Sequence, residues 1–241
     1  SPCSFTLFIL LQTAFNAFSS YLIEKAFFEG KIEMPCIAKP ESIIIPEALI
    51  PFSQRRSTTT YGEFVHFYEY DEKFASVMSS TNKFLGELRH FKGVISPDCS
   101  LYTDMPLVVQ MANTYLNRAV GAFFQSQGLY VIPNIRWGDE RSYSPQCEKF
   151  AFLGVEKDSI VSIGTYGCIR GKENKRRFQK GLEAMLVELV PRVVVVYGAM
   201  PKDVFADYLN YTDFRRFNDW ISDRKGSYVR RIIADQQYFD F

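Results

Sequence analysis

Histidine and cysteine are sparse in this sequence, and their scarcity limits the chemistry that the chain can support. The two histidines, His66 and His90, leave little material for a histidine-rich metal site or a Ser-His-Asp triad. The five cysteines are scattered and include no Cys-x-x-Cys pair, which argues against a disulfide framework and a structural zinc site. We therefore expect a reducing, cytoplasmic setting, and any metal would be a hard cation such as magnesium, held by carboxylates.

An excess of charge and the common nucleotide-binding signatures are also absent. The 28 basic and 27 acidic residues give a net charge of +1, so no global field steers polyanions to the protein. No Walker loop, dinucleotide-binding glycine fingerprint, H-E-x-x-H or G-x-S-x-G motif occurs. The 241 residues, with 47% hydrophobic content, are enough for the core of one large α/β domain or two small ones.

Charge is missing altogether from residues 5–23. The length of this segment approaches that of a membrane-spanning helix, but five polar residues would be costly in lipid: Gln12, Thr13, Asn16, Ser19 and Ser20. The first residues, SPCS, lack the positive charge of a signal peptide. We expect a charge-poor helix within residues 1–32 that packs inside the protein, and we do not expect a membrane segment. A membrane span and a terminus altered by processing stay open as alternatives.

The stretch from residue 93 to residue 137 contains one complete parallel βαβ crossover, predicted as strand, polar loop, long helix, tight turn and strand. The remaining pattern alternates in the same way and predicts a single α/β domain over residues 33–241, with a mostly parallel sheet and crossover helices. An irregular or incomplete (β/α) barrel is favoured, and an open doubly wound sheet is the alternative. The predicted strands are 64–70, 93–97, 129–135, 159–164 and 192–197, with doubtful ones at 35–38 and 43–45 and none after 201, and the predicted helices are 71–90, 104–127 and 174–190.

The predicted helix at 104–127 has an unusual pattern, because residues 105–126 carry a single charge, that of Arg118. Its expected core face is Val108, Ala112, Tyr115, Ala119, Ala122 and Phe123. Its opposite face carries Gln110, Asn113, Asn117 and Gly121. A stripe of amides without Lys or Glu favours packing against another element, either the N-terminal segment or a second subunit of a homo-oligomer. An ordinary polar surface stays open.

Polar side chains follow the ends of the predicted strands, and in a parallel sheet these ends meet at one edge where ligands bind. The candidate catalytic residues are Glu69, Asp98, Arg136 and Asp139, of which Asp98 and Asp139 are also candidate metal ligands. The candidate substrate-binding residues are Ser100, Asn134, Trp137, Thr165 and Tyr197. These groups suit a magnesium-assisted reaction at a phosphate ester, or acid–base catalysis on a sugar-like ligand with Trp137 as a platform.

Three acidic residues near these strand ends also have a structural interpretation. Asp71 and Asp104 suit the caps of helices, and Asp98 suits an Asx turn after Pro97. His66 lies within an apolar strand and is expected to be a core or edge histidine instead of a ligand.

A basic cluster follows the predicted strand at 159–164. It consists of Arg170, Lys172, Lys175, Arg176, Arg177 and Lys180, with Glu173 as the only acid in the span. The ordinary interpretation is a solvated helix face. The functional alternative is contact with phosphate or nucleic acid, for which Arg176 and Arg177 are the candidate residues.

Several runs occur in an order that is typical of one family. They are SPDCSLYTDMP, NTYLNR, GLYVIPNIRW, GTYG, an F-x-x-G-x-E-x-M-L run at 178–186, and VVVYG at 194–198. Over about residues 35–198 the chain resembles the bacterial and phage-associated family called domain of unknown function 4417. The resemblance implies a single α/β domain often carried on mobile elements, and it brings no established activity. The family's NxYRNR block departs here, because Leu116 stands in place of its first basic residue.

Two functions follow from the sequence, and it leaves open whether the chain is an enzyme. The first is a metal-assisted enzyme acting on a phosphate-containing substrate, a nucleotide or a nucleic acid. Asp98, Asp139 and Glu69 would hold the metal, while Arg136 and the basic cluster would contact phosphates. The alternative is a non-enzymatic binding or assembly protein of a phage or another mobile element.

Overall fold

The computed structural model describes residues 19–58 and 61–220. Its strands are β1 (Phe28–Glu29), β2 (Met34–Pro35), β3 (Leu49–Pro51), β4 (Phe64–His66), β5 (Gly93–Ile95), β6 (Val131–Ile132), β7 (Ile160–Gly164), β8 (Val193–Tyr197) and β9 (Asp213–Phe217). Its α-helices are α1 (Ala75–Ser79), α2 (Leu85–Leu88), α3 (Leu107–Ser126), α4 (Gly171–Leu189) and α5 (Lys202–Phe205). Short 3-10 helices lie at Ser20–Leu22, Phe52–Gln54, Asp71–Lys73, Thr81–Phe84, Glu140–Tyr143, Pro145–Cys147 and Ala206–Tyr208.

Seven of the nine described strands form two parallel sheets, and the other two, β1 and β2, form an antiparallel pair. One sheet has the order β3-β4-β5-β6 and the other has the order β7-β8-β9. A parallel bridge between Asn134 and Ser162 joins the two sheets at the β6 and β7 edges. The predicted α/β class with parallel pairing is therefore confirmed. The predicted barrel-like closure is not, since no pairing between β3 and β9 occurs among the described residues.

The central strands are buried on both faces, as their unbroken apolar sequences indicate. All five residues of β8 are buried, and so are all three of β4 and of β5. One face of the strands contributes to a shared cluster that includes Phe64, Ile95, Ile132, Ile160 and Val195. The other face packs under the helices, as expected for parallel strands covered on both sides.

The crossover helix α4 matches its predicted pattern. Its apolar side chains lie on one face and are buried: Phe178, Leu182, Met185, Leu186 and Leu189. The helix begins at Gly171, three residues before the predicted start at Asn174. This early start carries the basic cluster onto the first turns of the helix.

The predicted core face of α3 is wrong for the first turns of the helix and correct for its C-terminal part. Val108 is 70% exposed and Ala112 is exposed, whereas Gln110 and Asn117 are buried. Only the C-terminal part of the expected core face, from Ala119 to Phe123, is buried. The helix therefore turns its amides toward the strand ends, and its first turns leave the apolar side open.

Three further elements differ from the prediction. The expected helix at 71–90 is broken into short pieces, because Ser80 leaves the helical region with φ −151° and the Thr81 hydroxyl bonds back to the Val77 carbonyl. β9 was missed because its sequence, DFRRF, is a charged and largely exposed edge strand. β3 was missed because it is short and ends in Pro51, a residue that suits a sheet edge.

Residues 1–18 of the predicted N-terminal helix lie outside the described residues. Residues 28–29 form β1, which pairs with β2 across the proposed boundary at residue 32. Within the described ranges, no helix combines the length and the apolar character needed to cross a bilayer.

Candidate functional site

The C-terminal ends of the parallel strands surround a cleft of about 1010 Å³. This is the edge at which parallel α/β proteins bind ligands, and the volume is at the upper end for a small-molecule site. Seven of the predicted site residues line the cleft: Glu69, Asp98, Ser100, Arg136, Trp137, Arg177 and Tyr197. Four are not among its lining residues: Asn134, Asp139, Thr165 and Arg176.

Asp98 and Arg136 form an ion pair in the cleft. Arg136 Nη1 donates to Asp98 Oδ2 over 2.6 Å, and Asn134 Nδ2 donates to Asp98 Oδ1 over 2.8 Å. Both Asp98 oxygens are thus engaged. Arg136 makes no other hydrogen bond to a described residue, so the rest of its donor fork stays open to the cleft. Although burial opposes it, the Asp98 carboxylate raises the pKa of Arg136 above its usual value, which keeps the guanidinium charged.

Tyr68 connects this pair to the second sheet. Its hydroxyl donates to Asn134 Oδ1 over 3.0 Å and lies 2.6 Å from Ser162 Oγ. Its ring stacks on Tyr197 with centroids 4.9 Å apart. Burial raises the pKa of Tyr68 well above its usual value, so this hydroxyl is neutral. Sequence reasoning missed Tyr68 and Ser162, because both lie inside apolar strand patterns with no signal that sets them apart.

The predicted metal ligands are not brought together. Glu69 accepts a hydrogen bond from the Ser53 backbone N–H over 3.0 Å and lies 3.5 Å from Lys73 Nζ. Asp139 caps the short 3-10 helix that follows it, and the hydrogen bond from Arg141 lowers its pKa to about 2. In the two described ranges, no group of three or more His, Cys, Asp or Glu side chains has the arrangement of a metal site.

Ser100 and Asp71 are joined at the cleft wall. The Ser100 hydroxyl donates to Asp71 Oδ1 over 2.9 Å. Asp71 was interpreted as a cap, but the short helix that starts there has no side-chain cap, and its carboxylate instead fixes the loop after β5. Asp104 likewise does not cap α3, whose N-cap is Pro106.

The hydroxyls of Thr165 and Tyr197 form hydrogen bonds within the chain, at the ends of β7 and β8, and are not directed at a ligand. The Thr165 hydroxyl donates to the Ala199 carbonyl over 2.8 Å, and its side chain is 1% exposed. The Tyr197 hydroxyl accepts from the Trp220 backbone N–H over 3.0 Å, and burial raises its pKa to about 12. His66 packs against the Tyr197 ring at 4.4 Å, which confirms it as a core histidine.

Aromatic side chains form much of the remaining wall. Trp137 packs on Phe178 of α4 with centroids 5.0 Å apart. Gly181 permits this contact, because a Cβ there would lie 2.2 Å from Trp137 Nε1. Three tyrosines stand at the cleft with exposed fractions of 78%, 57% and 51%, and these are Tyr70, Tyr102 and Tyr166.

The cleft is electrically divided. The lining residues that follow β3, β4 and β5 include five acids and one base: Glu69, Asp71, Glu72, Asp98, Asp104 and Lys73. The lining residues that follow β6, β7 and β9 include three bases and one acid: Arg136, Arg170, Arg177 and Asp219. One half is therefore acidic, and the half formed by α4 and the β6 end is basic.

The amide stripe of α3 contacts the chain's own strand ends. Asn117 Nδ2 donates to the Pro97 carbonyl over 2.5 Å, and Asn113 Nδ2 donates to the Ser100 carbonyl over 2.7 Å. Gln110 Nε2 donates to Asp139 over 2.9 Å, and Gly121 lets Ile37 approach closely. A homo-oligomer through this face was expected, but three of its four residues are buried within the described chain, and Asn113 is half-buried. The oligomeric state itself stays a prediction.

Arg118, the charged residue of the same block, is 1% exposed. It donates to the carbonyls of Leu153, Ala151 and Asn134 over 2.9, 2.8 and 3.0 Å. Burial lowers its pKa to about 10, so it is still charged at neutral pH. The NTYLNR block therefore positions the backbone next to the site. Asn117 and Arg118 donate hydrogen bonds to the Pro97 and Asn134 carbonyls, which lie beside the Asp98–Arg136 pair.

These features define a parallel α/β protein with a divided, aromatic cleft at the carboxyl edge of its sheets. The family model described as "Domain of unknown function (DUF4417)" matches residues 27–217, and the chain belongs to this family. The match extends beyond the resemblance noted in the sequence at both ends.

Two relatives come from mycobacteriophages. The chain is 30% identical over 167 residues to "Gene 1 protein" of Mycobacterium phage L5, a match that covers 67% of this chain and 70% of that protein. It is 28% identical over 182 residues to "Gene 1 protein" of Mycobacterium phage D29, which covers 76% of this chain and 64% of that protein. The expected association with phage proteins is thus confirmed. No solved structure matches the chain.

Proposed function

We propose that the cleft binds a nucleotide, with its phosphate against Arg136 and its base among the tyrosines. The observation that carries this proposal is the state of Arg136. Asp98 holds the guanidinium by one nitrogen, and the charge is permanent, while the other donors are open to the cleft. A guanidinium presented in this way is suited to a phosphate, whose oxygens accept two parallel hydrogen bonds.

The division of charge supports a ligand with two unlike ends. A phosphate would lie in the basic half, near Arg136, Arg170 and Arg177. The acidic half offers carboxylate acceptors, and the exocyclic amino groups of cytosine and adenine are donors that such acceptors recognise. The exposed rings of Tyr102 and Tyr166 offer surfaces on which a base can stack.

The proposal is limited to binding. Glu69, Asp98 and Asp139 were expected to share a metal, but each carboxylate is engaged by its own partners, and Asp139 is not part of the cleft lining. The described residues therefore give the metal-assisted reaction no support. The geometry favours the alternative, a non-enzymatic binding or assembly protein of a phage or another mobile element.

Calorimetric titration with cytidine and adenosine monophosphates tests the proposal. We expect Arg136→Gln to weaken binding by about tenfold or more, because a hydrogen-bonded charge contact is lost. The double variant Asp98→Asn/Arg136→Gln removes the unpaired acid that the single variant leaves, and it should bind as weakly. Arg192→Gln is the matched control, since Arg192 pairs with Asp158 before β7 and β8, at the opposite edge of the sheet. Equal binding by Arg136→Gln and the unaltered protein would refute the proposal.

A further inference from the structure

A basic stripe runs along the outer face of α4. Lys172, Arg176 and Lys180 follow one another at intervals of four residues, which places them on one face over about 12 Å of helix. All three are exposed. The apolar face of the helix points the other way, into the core. The stripe is therefore a surface feature that the packing of α4 does not require.

The stripe is continuous with the basic half of the cleft. Arg170 and Arg177 line the cleft, and Lys172, Lys175 and Arg176 line a second depression of about 400 Å³ beside it. The six basic residues of this helix start have three acidic partners, Glu173, Asp203 and Glu140, which leaves a local charge of +3. Arg170 and Lys172 form no ion pair with any residue in the described ranges.

The opposite lip of the cleft has the reverse sign. Glu72 and Asp104 are exposed there, and neither has an ion pair among the described residues. A chain of phosphates that reached the cleft from α4 would meet these carboxylates if it continued across. Like charges at close approach are unfavourable, so these carboxylates oppose the passage of a polyanion across the cleft.

We propose that the ligand is the free end of a single-stranded nucleic acid. The terminal nucleotide lies in the cleft, and the phosphates that follow it run over the stripe of Lys172, Arg176 and Lys180. The inference rests on the proposed nucleotide-binding function and extends it. A duplex does not fit, because its bases are stacked and paired and their edges cannot reach the carboxylates inside the cleft.

Fluorescence anisotropy on the full chain tests this inference with three probes: a mononucleotide, a linear oligodeoxynucleotide of ten residues, and a circular single strand. We expect the linear oligonucleotide to bind at least tenfold more tightly than the mononucleotide and than the circle. The triple variant Lys172→Gln/Arg176→Gln/Lys180→Gln should lose at least tenfold affinity for the linear strand. Its salt dependence should fall by about 2 in log–log slope, as expected when three phosphate contacts are lost. Its mononucleotide affinity should change by less than about twofold.

The control is Lys92→Gln/Lys157→Gln/Arg192→Gln, which makes the same change in net charge just before β5, β7 and β8, at the other edge of the sheet. It should leave all three affinities unchanged. Equal affinity for the circular and linear strands, or for the oligonucleotide and mononucleotide, would overturn the inference and leave the proposed function standing. Absence of binding by every probe would overturn both.

Discussion

The two long crossover helices use their polar residues in opposite ways. α3 has 20 residues and α4 has 19, and each connects neighbouring parallel strands. Polar side chains of α3 point inward and bond to the carbonyls of loops, whereas those of α4 point outward and form ion pairs within the helix and with neighbouring segments. The site lies between the two helices, with α3 supporting its floor and α4 forming its basic lip.

The inward polar face of α3 helps to fix backbone that regular strand pairing holds only briefly. β5 and β6 have only three and two residues, and a single bridge, between Asn134 and Ser162, continues the pairing beyond β6. Asn117 and Arg118 bond to the carbonyls just past both strands. A buried donor left without an acceptor is costly, so these residues determine one arrangement of the loops.

The outward polar face of α4 does not position any loop in this way. Its ion pairs, such as Arg176 and Arg177 with Glu173, are exposed to water and contribute little to stability. The helix is stabilised in the fold by its apolar face, which includes Leu182 and Met185. The basic residues are therefore free to serve a ligand, because their loss would not disturb the core.

The largest expected effect comes from Arg118→Met, which tests whether α3 depends on its buried polar contacts. The substitution leaves the carbonyls of Leu153 and Ala151 without their donor, at about 1–3 kcal/mol each. We expect the free energy of unfolding to fall by about 3 kcal/mol in urea denaturation. Arg176→Met on α4 is the control and should leave the midpoint unchanged. If Arg118→Met lowers the free energy of unfolding by less than about 1 kcal/mol, the buried polar contacts of α3 matter no more for stability than the exposed ones of α4.

The same contrast between buried and exposed polar groups distinguishes the two histidines, and it predicts a dependence of stability on pH. His66 is fully buried, and burial lowers its pKa to about 3. The unfolded chain has the ordinary value of about 6.5, so below that pH the unfolded state binds a proton that the folded state does not. Stability is therefore complete above pH 6.5 and falls as the pH drops toward 3.

We expect His66 to account for a loss of about 2 kcal/mol between pH 7 and pH 5. His66→Asn should lack this part of the pH dependence, since its amide oxygen can still accept from the Tyr68 backbone N–H, as Nδ1 does. His90→Asn is the matched control, because His90 is exposed, and it should keep the full dependence. The measurement is the free energy of unfolding in urea at several pH values. If it falls with pH as steeply in His66→Asn as in the unaltered protein, His66 is not the source of the dependence.

The helices also show how far the sequence could predict this molecule. The pattern of α4 identified its core face correctly, because apolar spacing reports burial when the polar side faces water. The same reasoning was wrong for Val108 and Ala112 of α3, since this helix buries amides. The absence of charge signalled burial of the stripe, but no local pattern could show that strand ends, and not a second subunit, cover it.

For the candidate site, the sequence predicted where several residues lie but not which residues they contact. Strand order placed Asp98, Arg136 and Trp137 at one edge, and this follows from parallel topology alone. The partners of each group depend on contacts between residues far apart in the chain. Tyr68 reaches Ser162 across 94 positions, and Asp139 turns away from the cleft to bond Gln110 and Arg141. Spacing in the sequence carries no information about such contacts.

The smallest expected effect, and the sharpest test of the outward role of α4, is that of Glu173→Gln. Glu173 accepts hydrogen bonds from Arg176 and Arg177 on the surface, so its neutralisation should leave the melting temperature within about 1 °C. It should also release both guanidiniums and raise the local charge by one, which under the proposed function strengthens binding of the linear oligonucleotide by about twofold to fivefold at low salt.

The control is Glu188→Gln, which neutralises an acid on the same helix that pairs with Lys149 and Lys157. It should leave binding unchanged. A fall in the melting temperature of Glu173→Gln by several degrees would show that α4 depends on its surface pairs, and the two helices would then differ less than their burial indicates.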